Sequence, residues 1–194
     1  MTSREAEIKD FTNLAKQYGY AAKVLHAEIQ RQHTTPAADR APVEHDAYSY
    51  LWVPSLHLSA HALECVLKAC AHLNDVDPPS SGRDGHDLNK MMGQPYASVL
   101  RARISRAADD AATTLRADPA YPAQDHNKLG LSNPIEWIEK AMSVLGQLHC
   151  QAGSKLRYGS DDPLEIAPSS PLLAETIYRV TQELGNARYR FLRR

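Results

Sequence analysis

No apolar run in this sequence approaches the roughly 18 residues that a membrane-spanning helix needs, so no membrane partner is expected. Cysteine is scarce: Cys65, Cys70 and Cys150 are the three in 194 residues. An odd number without C-x-x-C spacing points to neither a disulfide framework nor a zinc knuckle. Cys65 and Cys70 fall inside a helical pattern and read as small packed side chains. Charge of one sign is also lacking, with 22 Lys and Arg against 23 Asp and Glu. Global charge therefore cannot hold nucleic acid, and any such contact needs a local patch. No stretch of four or more residues alternates convincingly in period two, which argues against strands. The segment Met1-Thr-Ser-Arg-Glu-Ala-Glu lacks a signal-peptide core, and a cytoplasmic location is the expectation.

What remains is helical periodicity in an ordinary globular composition, 43% hydrophobic and 23% charged. The length suits one substantial core, and a single domain over 1–194 is expected. Ile8, Phe11, Ala15, Tyr18, Ala22, Leu25 and Ile29 form one apolar stripe on a long first helix, with Thr2 or Ser3 as its cap. Thr34 to Asp46 contains Pro36 and Pro42 and reads as a loop. A second helix starts between Asp46 and Pro54, either with Pro54 in its first turn or with an earlier, kinked turn over Tyr48 to Val53. It runs to about Leu73, and breakers fill Asn74 to Gly85. A short helix over Asp87 to Met92 follows, then a longer one over Tyr96 to Ala117 with a thin stripe of Leu100, Ile104, Ala108, Ala111 and Leu115. After a loop from Asp118 to Ser132, Asn133-Pro134 opens a helix carrying Ile135, Ile138, Ala141, Met142, Leu145 and Leu148. Gly153 to Pro171 reads as irregular. The last helix runs from Ser170 or Pro171 toward Phe191, with Leu173, Ile177, Val180, Leu184, Ala187 and Phe191 inward. The fold class is all-α, an up-down bundle of four to five long helices plus the short one.

The second helix carries the chemistry. At about 100° per residue, His57, His61, Glu64 and Lys68 lie within roughly 60° of one another, while another arc holds Leu56, Ala60, Leu63, Leu67 and Cys70. This reads as one packing face and one face left for chemistry. The His57/His61/Glu64 spacing could bind a metal, but no matching pair elsewhere in the sequence closes such a site. A polar face in which Glu64 supports Lys68 is the favoured reading, with no metal and no cofactor expected. Gly82-Arg-Asp-Gly85 lacks the Lys-Ser/Thr ending of a phosphate loop. Gly85 is read as permitting a turn, with His86 or Asp87 capping the short helix. Arg101, Arg103 and Arg106 form one basic cluster; Arg188, Arg190, Arg193 and Arg194 form another. Both read as solvated faces or tails. No Gly-x-Ser-x-Gly elbow and no His-Glu-x-x-His is present, and nothing specific supports Cys65 as a nucleophile.

A helix with Leu63-Glu64-x-x-Leu67-Lys68-Ala69, the turn Gly85-His86-Asp87-Leu88 and the later Lys155-Leu156-Arg157-Tyr158 together resemble the HEPN superfamily of small prokaryotic helical proteins. The resemblance spans roughly Ser55 to Met92 and the Arg157 region. It implies an up-down bundle that usually dimerises. Members serve as toxins, antiviral-defence components or partners of nucleotidyltransferases, and many cleave RNA without metal. The family's nucleases carry Arg-x(4–6)-His on a late helix, with His as general acid/base and Arg on the scissile phosphate. This chain has no histidine after Cys150. Arg40 and His45 are the one match to that spacing, in a proline-bearing loop, and are the candidate catalytic pair. The set His57, His61, Glu64, Lys68, His86, Asp87, Arg157 and Tyr158 is the candidate binding or structural cluster, and the resemblance implies an interior corner of the bundle in which Glu64 and Lys68 partner His86 or Arg157. The resemblance thus implies a non-catalytic binding module, a homodimer, that meets an operon-encoded protein partner, RNA or a nucleotide in a toxin–antitoxin or antiviral-defence setting. The alternative is a metal-independent ribonuclease with a rearranged site.

Overall fold

A computed structural model describes residues 3–36, 39, 47–79, 83–150 and 171–186. Every regular element among them is helical: α1 (Ser3–Thr34), α2 (Ala47–Leu73), α3 (Leu88–Met92), α4 (Ser98–Arg116), α5 (Pro134–Cys150) and α6 (Pro171–Asn186). Tight 3₁₀ turns at Arg83–His86, Pro95–Ala97 and Ala123–Asp125 link them. The all-α reading therefore holds, with five long helices and a short one among the described residues. Pro54 sits inside α2, not at its start. The earlier turn is the one that forms, and the exposed ring of Pro54 interrupts one backbone hydrogen bond.

The apolar periodicities explain the packing. On α1, Ile8, Ala15, Ala22 and Ile29 are buried, and this stripe lies along α2. α6 packs on α1 and α4, while α5 covers α3, α4 and α2. The alanine-rich stripe of α4 is a close seam: Leu100, Ile104, Ala108 and Ala111 are each 1% exposed or less. Ile135 departs from expectation at 39% exposed. It lies at the edge of the α5 stripe, about 60° or more from Ile138, Ala141 and Leu145 at 100° per residue. The loop before α5 is pinned by Gly130 at φ 78, where an added Cβ would stand 2.3 Å from the Trp137 ring, so only glycine fits.

α2 is the central helix, and the arc that its periodicity alone leaves for chemistry is covered, with Glu64 and Lys68 in the interior. Every residue from Ala62 to Leu73 is buried, Glu64 and Lys68 included. The cause is tertiary: α1 covers one side, and α5 with the Arg83–His86 turn closes over the other. A helical wheel shows which residues share a face and is silent on which faces acquire neighbours. The turn before α3 is also refined. Asp87 caps α3, its Oδ1 accepting from the Lys90 backbone N–H at 2.8 Å. Gly130 is the positive-φ glycine among the described residues, so Gly85 does not serve its turn through a left-handed conformation.

Candidate functional site around Glu64

The polar stripe of α2 becomes a site because two remote elements bring histidines to it. The Arg83–His86 turn delivers His86, and the last turn of α5 delivers His149. Lys68 Nζ donates to Glu64 Oε1 at 2.6 Å. The other oxygen, Oε2, accepts from His149 Nε2 at 2.7 Å and from His86 Nδ1 at 3.0 Å. His61 Nδ1 stands 3.7 Å from that oxygen. A carboxylate only accepts, so the nitrogens facing it at hydrogen-bond distance carry their protons there. One turn back, His57 and His61 meet with their Nε2 atoms 3.0 Å apart and their rings edge-on, centroids 4.3 Å apart. The His149 ring stands edge-on to His61, 4.8 Å between centroids.

Burial grades the cluster from floor to rim. The side chains of Glu64 and Lys68 are 7% and 10% exposed, that of His149 1%, and that of His86 41%. Burial pushes the Glu64 carboxyl up, but hydrogen bonds from His149, Lys68 and His86 outweigh it. The group is held well below the usual carboxylate range. Glu64 is thus a fixed anion that organises a cation and two imidazoles. His86 is oriented through Nδ1, and its half-exposed ring leaves Nε2 as the second edge. That carboxylate–imidazole geometry is shared by acid/base dyads and by polar recognition sites.

Of the residues singled out in the sequence, the structure brings His57, His61, Glu64, Lys68 and His86 together. Asp87 adjoins them in sequence but its carboxylate caps α3. Arg40, His45, Arg157 and Tyr158 lie outside the described residues, as do Gly82 and the cluster from Arg188 to Arg194. On α4, Arg101 donates to the Met92 carbonyl and Arg103 pairs with Glu183 at 3.9 Å, so two of the three arginines have partners within the fold. Burial, then the neighbouring Glu64 charge, pushes the Cys65 thiol up to about 12, which leaves no thiolate for nucleophilic chemistry near neutrality. Sequence reasoning missed His149. Its one local signal is position: at 100° per residue it falls between Met142 and Leu145 on the apolar stripe of α5, a polar group where a core side chain belongs.

Compared with family models, curated proteins and solved structures, the chain matches none, and the site is read from its own residues.

Proposed function

We propose that this chain is a non-catalytic binding module of the HEPN type, a homodimer that recognises RNA or a nucleotide, alone or with an operon-encoded protein, in a toxin–antitoxin or antiviral-defence system. The observation that carries the reading is the saturation of Glu64. Both its oxygens are engaged, by Lys68 on one side and by His149 and His86 on the other. A carboxylate so held is a scaffold rather than a proton acceptor, and the same contact commits Lys68 inward. The half-exposed His86 ring then forms the rim that meets a ligand, with His57 and His61 beside it. A second reading, a metal-independent ribonuclease with a rearranged site, draws support from the Glu64–His86 dyad, which could move a proton at the outer nitrogen of His86.

The two readings separate in one experiment. Purified full-length protein is mixed, in the presence of chelator, with a labelled single-stranded RNA, and both anisotropy and chain length are followed. The binding reading expects saturable binding with intact RNA, weakened at least tenfold by His86→Ala. Cleavage that disappears in His57→Ala, His61→Ala or His86→Ala would establish the ribonuclease instead. Neither binding nor cleavage would remove both. The dimer is checked separately by light scattering at micromolar concentration, where a monomer's mass would exclude it.

A further inference from the structure

The sequence offered two histidines one helical turn apart and nothing to close a site around them. The fold supplies the missing ligand from the far end of α5. One nitrogen from each of His57, His61 and His149 lies within 4.8 Å of the others. We infer that these three imidazoles bind a divalent transition-metal ion of the zinc class, with Glu64 as the carboxylate that orients His149 and lies beside His61. This goes beyond the binding reading and does not depend on it.

Three observations support the assignment. The first is spacing. Two metal–nitrogen bonds of about 2.0–2.1 Å at a tetrahedral angle set their nitrogens about 3.3–3.4 Å apart. The Nε2 atoms of His57 and His61 stand at 3.0 Å, so a small rotation of either ring admits an ion between them. Two neutral imidazoles can face one another at that distance only if one donates, and a metal ion satisfies both lone pairs at once.

The second is the tautomer of His149. Its Nε2 faces the Glu64 carboxylate at 2.7 Å and carries the proton there. In the neutral ring Nδ1 is then a lone pair, and that atom is buried without a hydrogen-bond partner among the described residues. A buried unpartnered nitrogen costs stability unless something occupies it. The third is the position of the carboxylate. Glu64 Oε2 touches the His149 ring at Nε2 and lies 3.7 Å from His61 Nδ1. It holds the proton on Nε2 of His149 by a hydrogen bond, favours it on Nδ1 of His61 only through its charge, and leaves the opposite nitrogen of each ring for a metal. That is the carboxylate–histidine–metal relation by which outer groups orient ligands and raise their basicity. An all-imidazole set suits zinc, copper, nickel or iron rather than magnesium or calcium. Three protein ligands leave the fourth position of a zinc-class ion to water or to a ligand atom, and the partial exposure of His57 and His61 keeps that side accessible.

The test uses full-length protein freed of metal with a chelator and titrated with Co²⁺, whose visible absorption reports four-coordinate geometry, followed by Zn²⁺ as competitor. The expected result is one Co²⁺ per chain, displaced by one Zn²⁺ and accompanied by a raised thermal midpoint. His61→Ala and His149→Ala should weaken binding at least tenfold, while His86→Ala and His126→Ala retain it. Glu64→Gln, with the ligands intact, should weaken it about 10- to 100-fold, the range for outer-group changes. Circular dichroism checks each variant. If His149→Ala loses its helix signal, the partly exposed His57→Ala carries the ligand test. The inference is overturned by the absence of saturable Co²⁺ binding in the native chain, or by binding unchanged in both His57→Ala and His61→Ala. Loss in His86→Ala with retention in His57→Ala would also overturn it, since the ion would then sit among Glu64, His86 and His149.

Discussion

Two Glu–Lys pairs in this chain have the same spacing and the same length. Glu64 and Lys68 on α2, and Glu136 and Lys140 on α5, are each four residues apart and each 2.6 Å from nitrogen to oxygen. Their surroundings are opposite. The first pair is 7% and 10% exposed, the second 64% and 74%. On α5 water solvates both charges with or without the contact, so the pair decorates a helix surface. On α2 water is excluded, and each charge depends on its partners. Desolvation is also what makes Glu64 recruit further donors. Its second oxygen draws in His149 from 85 residues away and His86 from 22. A spacing motif becomes a site only where the fold removes the solvent.

The two pairs should differ most when their carboxylates are removed. Glu64→Ala strands Lys68 and the inward nitrogens of His86 and His149, and should cost about 3–5 kcal/mol of stability by urea denaturation. Glu136→Ala should leave the denaturation midpoint unchanged, because water takes over from the lost partner. A drop of similar size in both variants would mean that burial is not the deciding variable.

Acid provides a second, smaller lever. The folded-state value of Glu64 is depressed, so its stabilisation is fully present above the unfolded value near 4.5 and is lost as pH falls through the depressed folded value. Chelator-treated protein should therefore lose stability progressively below about pH 4.5. Glu64→Gln should show a flatter acid limb, and an identical limb would contradict the assignment.

Thiol chemistry tests the same desolvation one residue along. Burial pushes Cys65 up to about 12 and Cys70 up to about 11. In a Cys150→Ser background, an aromatic disulfide reagent at pH 8 should label neither until the chain is unfolded, whereupon both react. Rapid labelling in native buffer would show the α2 interior to be open. The smallest expected effect is at Lys140→Met, where thermal and urea midpoints should match the native protein within error. A measurable loss there would give the surface pair a role that its exposure does not explain.

How much of this was legible in the sequence follows from what is local. The stripe of Ile8, Ala15, Ala22 and Ile29 and Pro134 opening α5 are properties of a few neighbouring residues and could be read directly, while the cap of the short helix was narrowed to His86 or Asp87. The continuation of α2 through Pro54 was legible only as one of two alternatives, because the cost of an interior proline is offset by tertiary packing that the local sequence does not contain. The polar stripe of α2 was found, but its interior placement, with Glu64 beside His86, was expected only through the HEPN resemblance and not from the helix itself. Covering it takes α1, α5 and the Arg83–His86 turn at once, and a single-helix projection contains none of them. His149 escaped for the same reason. Its contact with Glu64 bridges 85 positions, and at its own location it is one polar residue beside Leu145 and Leu148. Ile135 shows the converse, an apolar residue one step off the stripe that ends in solvent.

The most direct test of the claim that burial, and not spacing, makes the Glu64 site is a pair of double-mutant cycles read by equilibrium unfolding. One combines Glu64→Gln with Lys68→Met, the other Glu136→Gln with Lys140→Met. The α2 pair should show a coupling free energy of about 1–3 kcal/mol, with the double variant more stable than the sum of its singles implies, and the α5 pair no measurable coupling. Equal coupling in the two cycles would contradict that claim.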